Sequence, residues 1–350
     1  MEANEDILQL LREKAAEVAR KAHCGVILQP GAIGDCILTL PLVAFMKDAL
    51  GLSRVDILGH TEYTGILPGR TCADGVRSME SLELHRLFAD ANTFDLADHD
   101  PLINAFAEYA WIVTFLGEPN SDFEQNLIFT ANCSHSAEVI TISLKPPEKS
   151  SMHITDHYIQ QFISQSGLAL ESARNEHEVA LIRATDADAE RGRELLEEID
   201  LDFSKKIMVI QPGSGGVHKS WHLDNYLALA GELGRRNMDV IFLLGPAERD
   251  RFSDPTIEQI SSAGKCLTDL SLTHVLGLLS CTDVFVGNDS GITHLAAGLG
   301  VRTLAVFGPT NPVVYRPVGP AVSIFANCTQ AFSEKPSAEL QQKILEVLLT

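Results

Sequence analysis

Three short runs in this 350-residue chain gather groups that can bind an anion and move a proton. The first is Asn288-Asp289-Ser290-Gly291, which follows the apolar run Val284-Phe285-Val286. After it, Ile292, Leu295, Ala296 and Leu299 recur at helical spacing. A strand, a tight turn and a helix are expected here. The turn offers a carboxylate, a hydroxyl and open N–H groups at a helix N-terminus, an arrangement that favours anions. Asp289 and Ser290 would serve equally well as helix caps, and the run alone does not separate the two roles. The second run, Gln211 to Trp221, is glycine-rich and carries Ser214 and Lys219. An ammonium group in such a loop can neutralise a phosphate. The third, Gly31-Ala32-Ile33-Gly34-Asp35, ends in a carboxylate able to accept a proton from a hydroxyl, or to cap a helix.

These runs need strands and helices to hold them. Strands are expected at Val26–Leu28, Val55–Leu58, Trp111–Leu116, Val139–Leu144, Ile207–Ile210, Val240–Leu244 and Thr303–Phe307, besides Val284–Val286. Helical spacing marks 5–20, a segment starting near Thr39 and Pro41, then 155–166, 184–198, the stretch after Trp221, and one from about Arg249. Residues 60–108 give no clear elements. Strands alternating with helices argue parallel sheets covered on both faces. Val26-Ile27-Leu28-Gln29-Pro30-Gly31 and Val209-Ile210-Gln211-Pro212-Gly213 echo one another, as two doubly wound domains with the same first unit would. Ligands of such sheets sit beyond the carboxyl ends of the strands.

Composition narrows the function classes. A net charge of −20 argues against nucleic-acid binding and against electrostatic docking on an anionic membrane. The acidic N-terminus is unlike a signal peptide and no apolar run is long enough to span a bilayer, so a cytoplasmic protein is expected. Seven scattered cysteines without a CxxC pair read as reduced thiols. His153 and His157 lack the HExxH glutamate and suit a solvated helix face. Asp186-Ala187-Asp188 and Asp98-His99-Asp100 read as caps or surface charge. The chain has no Walker P-loop, no dinucleotide fingerprint and no G-x-S-x-G elbow.

In combination, three motifs resemble glycosyltransferase family 9, the heptosyltransferases. They are Gly31-Ala32-Ile33-Gly34-Asp35 with Leu40-Pro41; Gln211-Pro212-Gly213-Ser214 with Lys219 and Trp221; and Asn288-Asp289-Ser290-Gly291 with His294, then Phe307-Gly308-Pro309-Thr310. The resemblance is strong over 207–312, good over 25–50 and faint over 60–170; Cys328-Thr329-Gln330-Ala331 also resembles the family's end. It implies an α/β fold of GT-B type, two Rossmann-like domains facing a central cleft. Residues 1–170 would bind the acceptor and 171–330 the nucleotide sugar, while a helix in 331–350 would pack back on the first domain. By position, Asp35 matches the general base, with Gly31 and Gly34 in the acceptor-side loop. Ser214 and Lys219 match residues holding the donor diphosphate, and Asp289, Ser290, Gly291 and His294 match the phosphate-and-sugar loop. Glu248 matches the ribose-binding acid, and Leu270 a position near the base. The implied activity is inverting, metal-independent transfer of a sugar, a heptose on an ADP donor, to a lipopolysaccharide-core or related saccharide. The implied partners are a nucleotide-sugar donor and a saccharide or glycolipid acceptor, with no cofactor, and peripheral membrane contact is compatible. A nucleotide-sugar epimerase and a non-catalytic nucleotide-sugar-binding protein are the alternatives.

Overall fold

The computed structural model describes residues 23–147, 150–169, 177–201, 204–326, 332 and 338–349. The expected helix at 5–20 and the segment Cys328 to Ala331 lie outside the described residues. By internal contacts the chain forms two compact units. One takes the described residues of 1–32, 39–148 and 155–174; the other takes those of 33–38, 149–154 and 175–350.

In the first, β1 (Cys24–Gln29) is followed by α1 (Ile33–Leu50), β2 (Arg54–Gly59), α2 (Thr61–Thr64) and β3 (Gly75–Ser78). Then come α3 (Pro101–Phe106), β4 (Trp111–Thr114), α4 (Asp122–Asn132), β5 (Glu138–Thr141) and α5 (Ile154–Ser166). The sheet order is β3-β2-β1-β4-β5 and every pair is parallel. Val26, Leu28, Tyr109, Ile112, Phe123 and Leu127 centre its core. The end of β1 is closed by its own glutamine. Gln29 Oε1 accepts the Gly31 N–H at 2.9 Å, and Nε2 donates to Thr39 Oγ1 at 2.7 Å. With the turn tied so tightly, α1 begins at Ile33 rather than near Thr39, and Pro41 lies inside it. Asp35 therefore occupies the first helical turn, not a loop.

The second unit runs α6 (Asp186–Glu198), β6 (Ile207–Gln211), α7 (Leu223–Gly234), β7 (Asp239–Leu244), α8 (Pro246–Arg249), α9 (Asp254–Ala263) and β8 (Lys265–Thr268). It continues with α10 (Leu272–Ser280), β9 (Val284–Asn288), α11 (Gly291–Gly298), β10 (Arg302–Phe307), α12 (Pro312–Tyr315), β11 (Val322–Ala326) and α13 (Ala338–Leu349). Its order, β11-β10-β9-β6-β7-β8, is parallel throughout and is that of a Rossmann sheet. The direction of winding reverses between β6 and β9. α6 and α10 touch backbone to backbone: a Cβ at Gly192 would lie 2.1 Å from the Gly277 carbonyl oxygen. Where the resemblance implies that the last helix crosses to the first domain, the described residues seat α13 on α7. Ile344 is fully buried in the second core, and Arg302 donates to the Val347 carbonyl. The apolar face of α13 finds its cover there. No described helix is long and apolar enough to cross a membrane.

Candidate active site

At the winding reversal of the second unit, β6 ends in Gln211 and β9 in Asn288. Asn288 is fully buried and its amide makes four hydrogen bonds. Oδ1 accepts from the Trp221 N–H and the Tyr226 hydroxyl, both at 2.8 Å. Nδ2 donates to the carbonyls of Pro212 at 2.8 Å and Gly213 at 3.1 Å. One side chain thus fixes the Gln-Pro-Gly turn, the loop bearing Lys219, and the start of the Asp289 turn. Replacing Asn288 with alanine strands four buried partners, so we expect a loss of about 3–5 kcal/mol, read as a lowered urea midpoint with unchanged slope.

Beyond Asn288 the expected anion turn takes shape. Ser290 caps α11: its Oγ accepts from the Thr293 N–H at 3.4 Å and donates to Gln211 Oε1 at 2.8 Å. Capping and anion binding are compatible here, since the cap engages only one of the open N–H groups. Lys219 Nζ lies 3.0 Å from Asp289 Oδ2, and His294 Nε2 lies 3.8 Å from Oδ1. Burial raises the Asp289 carboxyl, but His294 and then Lys219 outweigh it and hold the group down to about 2. His294 Nδ1 is buried without a hydrogen-bond partner among the described residues.

The first turn of α1 groups with this unit. A Cβ on Gly34 would lie 3.3 Å from His294 Cδ2, and one on Gly291 would lie 2.2 Å from Ile33 Cγ2. Two glycines thus let the backbones meet, and Asp35 is the next residue. Tyr315, at the end of α12, feels both carboxylates: its hydroxyl is raised by burial first, then by Asp289 and Asp35. Asp35, Lys219, Asp289, Ser290, Gly291 and His294 are therefore neighbours.

The remaining expected residues are spread out. Ser214 is buried, its Oγ donating to the Gly216 carbonyl at 2.8 Å and its own carbonyl accepting from Arg251 at 3.1 Å. Glu248 is also buried: Oε2 accepts the Gly245 N–H at 2.8 Å, and Oε1 lies where a Cβ on Gly213 would sit, 1.7 Å away. Burial raises its carboxyl against the pull of these backbone N–H groups and of Arg251. Leu270 is half-buried, just before Ser271, the cap of α10. Gly31 stays with Gln29 in the first unit. His153, read as solvated, is buried, and its Nε2 bonds the Arg316 carbonyl at 2.9 Å. Tyr315 and Arg251 escaped the sequence reading, because neither belongs to a glycine-bearing motif.

The sequence profile described as glycosyltransferase family 9 (heptosyltransferase) matches residues 134–345. The chain belongs to glycosyltransferase family 9. Among members of this family, lipopolysaccharide core heptosyltransferase OpsX of Haemophilus influenzae is 29% identical over 152 residues, covering 40% of this chain and 42% of OpsX. Lipopolysaccharide heptosyltransferase 1 of Pseudomonas aeruginosa is 34% identical over 114 residues, 32% of each chain. The aligned portion is thus under half the length of either relative. Solved structures match across both units. The family 9 glycosyltransferase of Veillonella parvula superposes with a TM-score of 0.68 at 16% identity, covering 93% of this chain and 95% of that one. Escherichia coli ADP-heptose lipopolysaccharide heptosyltransferase II gives 0.66 at 15% identity, covering 93% and 97%. The fold is therefore the GT-B type of the family 9 enzymes.

Proposed function

We propose that this chain is an inverting glycosyltransferase that moves a heptose from an ADP-linked donor to a saccharide hydroxyl of a lipopolysaccharide core or related glycan. The observation that carries this reading is the Lys219–Asp289 pair at the N-terminus of α11, next to the first turn of α1. Breaking the anomeric C–O bond puts negative charge on the leaving diphosphate. Lys219 and the N–H groups of Gly291 and Ile292 stabilise that charge, supplying what a divalent cation supplies in other transferases. Asp289 holds the ammonium in place. The unpartnered Nδ1 of His294 supports a ligand polar atom at that point. Asp35 takes the proton of the acceptor hydroxyl as its oxygen attacks the anomeric carbon opposite the leaving group, which inverts the centre. Asn288 and Glu248 set the shape of the donor loop, and Glu248 and Leu270 line the ribose and base end. The first unit takes the acceptor, and the reaction belongs to the cytoplasm.

The donor is tested by thermal shift with ADP, UDP, GDP and their sugars. A ligand at a hundredfold excess over its Kd adds about 2.7 kcal/mol of apparent stability. Selective stabilisation by ADP and ADP-heptose is expected; equal or greater response to UDP or GDP rejects the ADP assignment.

A further inference from the structure

We propose a saccharide subsite at the carboxyl ends of β2 and β3, built from His60, Tyr63, Ser78 and Glu80, that selects an uncharged stretch of the acceptor. This deepens the reading of the first unit as the acceptor half and rests on it. Gln29, Gly59 and Ser78 lie side by side in the sheet register, at the ends of three neighbouring parallel strands. His60 follows directly on β2, and Glu80 stands two residues beyond β3. This end of the sheet is where ligands of doubly wound folds bind.

The four side chains are already organised. His60 Nδ1 bonds one Glu80 oxygen, and Ser78 Oγ donates to the other at 2.6 Å. Hydrogen bonds from Ser78, from its own backbone N–H and from His60 keep the Glu80 carboxyl ionised down to about 2. Glu80 is thus an acceptor-only group with lone pairs to spare, and it remains exposed, with the imidazole beside it half-buried. The Tyr63 ring stands edge-on to His60, with centroids 6.2 Å apart. A fixed carboxylate, an imidazole and an aromatic ring recognise the hydroxyls and C–H faces of a sugar.

Charge excludes the anionic alternatives. Residues 39–147 hold six lysines and arginines against fifteen aspartates and glutamates. Four of those cations are spent on carboxylates: Lys47 on Asp74, Arg54 on Asp56 and Glu108, Arg77 on Glu108, and Arg86 on Asp100. The turns that leave β1, β2 and β3, residues 30–32, 60–64 and 79–83, contain Glu62, Glu80 and Glu83 and no lysine or arginine. A phosphate or carboxylate on the sugar seated here would face the like charge of Glu62, Glu80 and Glu83, in turns that hold no lysine or arginine.

The test uses the full chain, an uncharged heptose or hexose trisaccharide, and the same trisaccharide bearing one phosphate monoester. Saturation-transfer NMR reads binding without turnover, and transfer from ADP-heptose is measured alongside. The uncharged sugar should bind roughly tenfold more tightly, and added salt should narrow the gap by screening. Glu80→Gln and His60→Ala should each raise the acceptor KM roughly tenfold while kcat and the ADP Kd hold. Equal or tighter binding of the phosphorylated sugar, no binding of the uncharged one, or unchanged KM in both variants would overturn the subsite. Loss of ADP binding and transfer with sugar binding retained would instead strike at the transferase reading.

Discussion

Asp35→Asn is expected to lower kcat by about 10²–10⁴ while the affinity for ADP stays nearly unchanged. The amide keeps the shape and hydrogen-bonding reach of the carboxylate but cannot take the acceptor proton. The amide also gives up the helix-dipole gain of a first-turn carboxylate, on the order of 0.3–1 kcal/mol, since Asp35 sits half-exposed on the first turn of α1. The measurement is single-turnover transfer with saturating donor, alongside calorimetric titration of ADP. Turnover close to that of the unaltered chain would remove Asp35 as the base. Weakened ADP binding would instead move it to the donor side.

Lys219→Met should cost about 10²–10³ in kcat/KM, with a larger loss of affinity for nucleoside diphosphate than for nucleoside. The comparison of ADP with adenosine isolates the charge from the packing, and equal losses for both would rule out a phosphate contact. The same substitution has an acid signature. Asp289, held down to about 2 with help from Lys219, contributes stability that is complete above the ordinary carboxylate range and vanishes as pH falls through the folded value. Without Lys219 the folded value rises toward the ordinary one, so the variant should lose less stability on acidification, and that loss should be complete at a higher pH. A denaturant midpoint followed from pH 6 to pH 2 reads this directly.

The interior of both sheets is legible in the sequence. β1, β2, β4, β6, β7, β9 and β10 each announce themselves as apolar runs because both faces are covered. β3, β8 and β11, three of the four edge strands, do not; the fourth, β5, is expected from Val139–Leu144 and forms over Glu138–Thr141. Gly75-Val76-Arg77-Ser78 is half-buried throughout, so it has neither the continuous run nor the clean alternation that marks a strand. The anion turn is equally legible, since Asp289, Ser290 and Gly291 are local neighbours. What held it together was less so. Asn288 stood in the motif, but its four bonds reach residues distant in the sequence, and no spacing rule joins Tyr226 to Pro212. Pro41 suggests a first turn near Thr39, whereas Gln29 closes the preceding loop early enough for α1 to begin at Ile33.

The glycine contact between α6 and α10 bears on how the second unit comes together. α6 precedes β6, yet the surface it needs is supplied by Gly277, late in the chain. β6 likewise gains its inner neighbour only when β9 arrives, pairing Met208 with Val284. As the chain leaves the ribosome, its early elements wait with open faces, and closing so long a loop is slow. The contact of α10 with α6 and the pairing of β9 with β6 are both long-range, and the Asp289 turn follows directly on β9. A chain cut before β9 therefore lacks both the inner neighbour of β6 and the Asp289 turn, so the anion site cannot exist without the strand that completes the middle of the sheet.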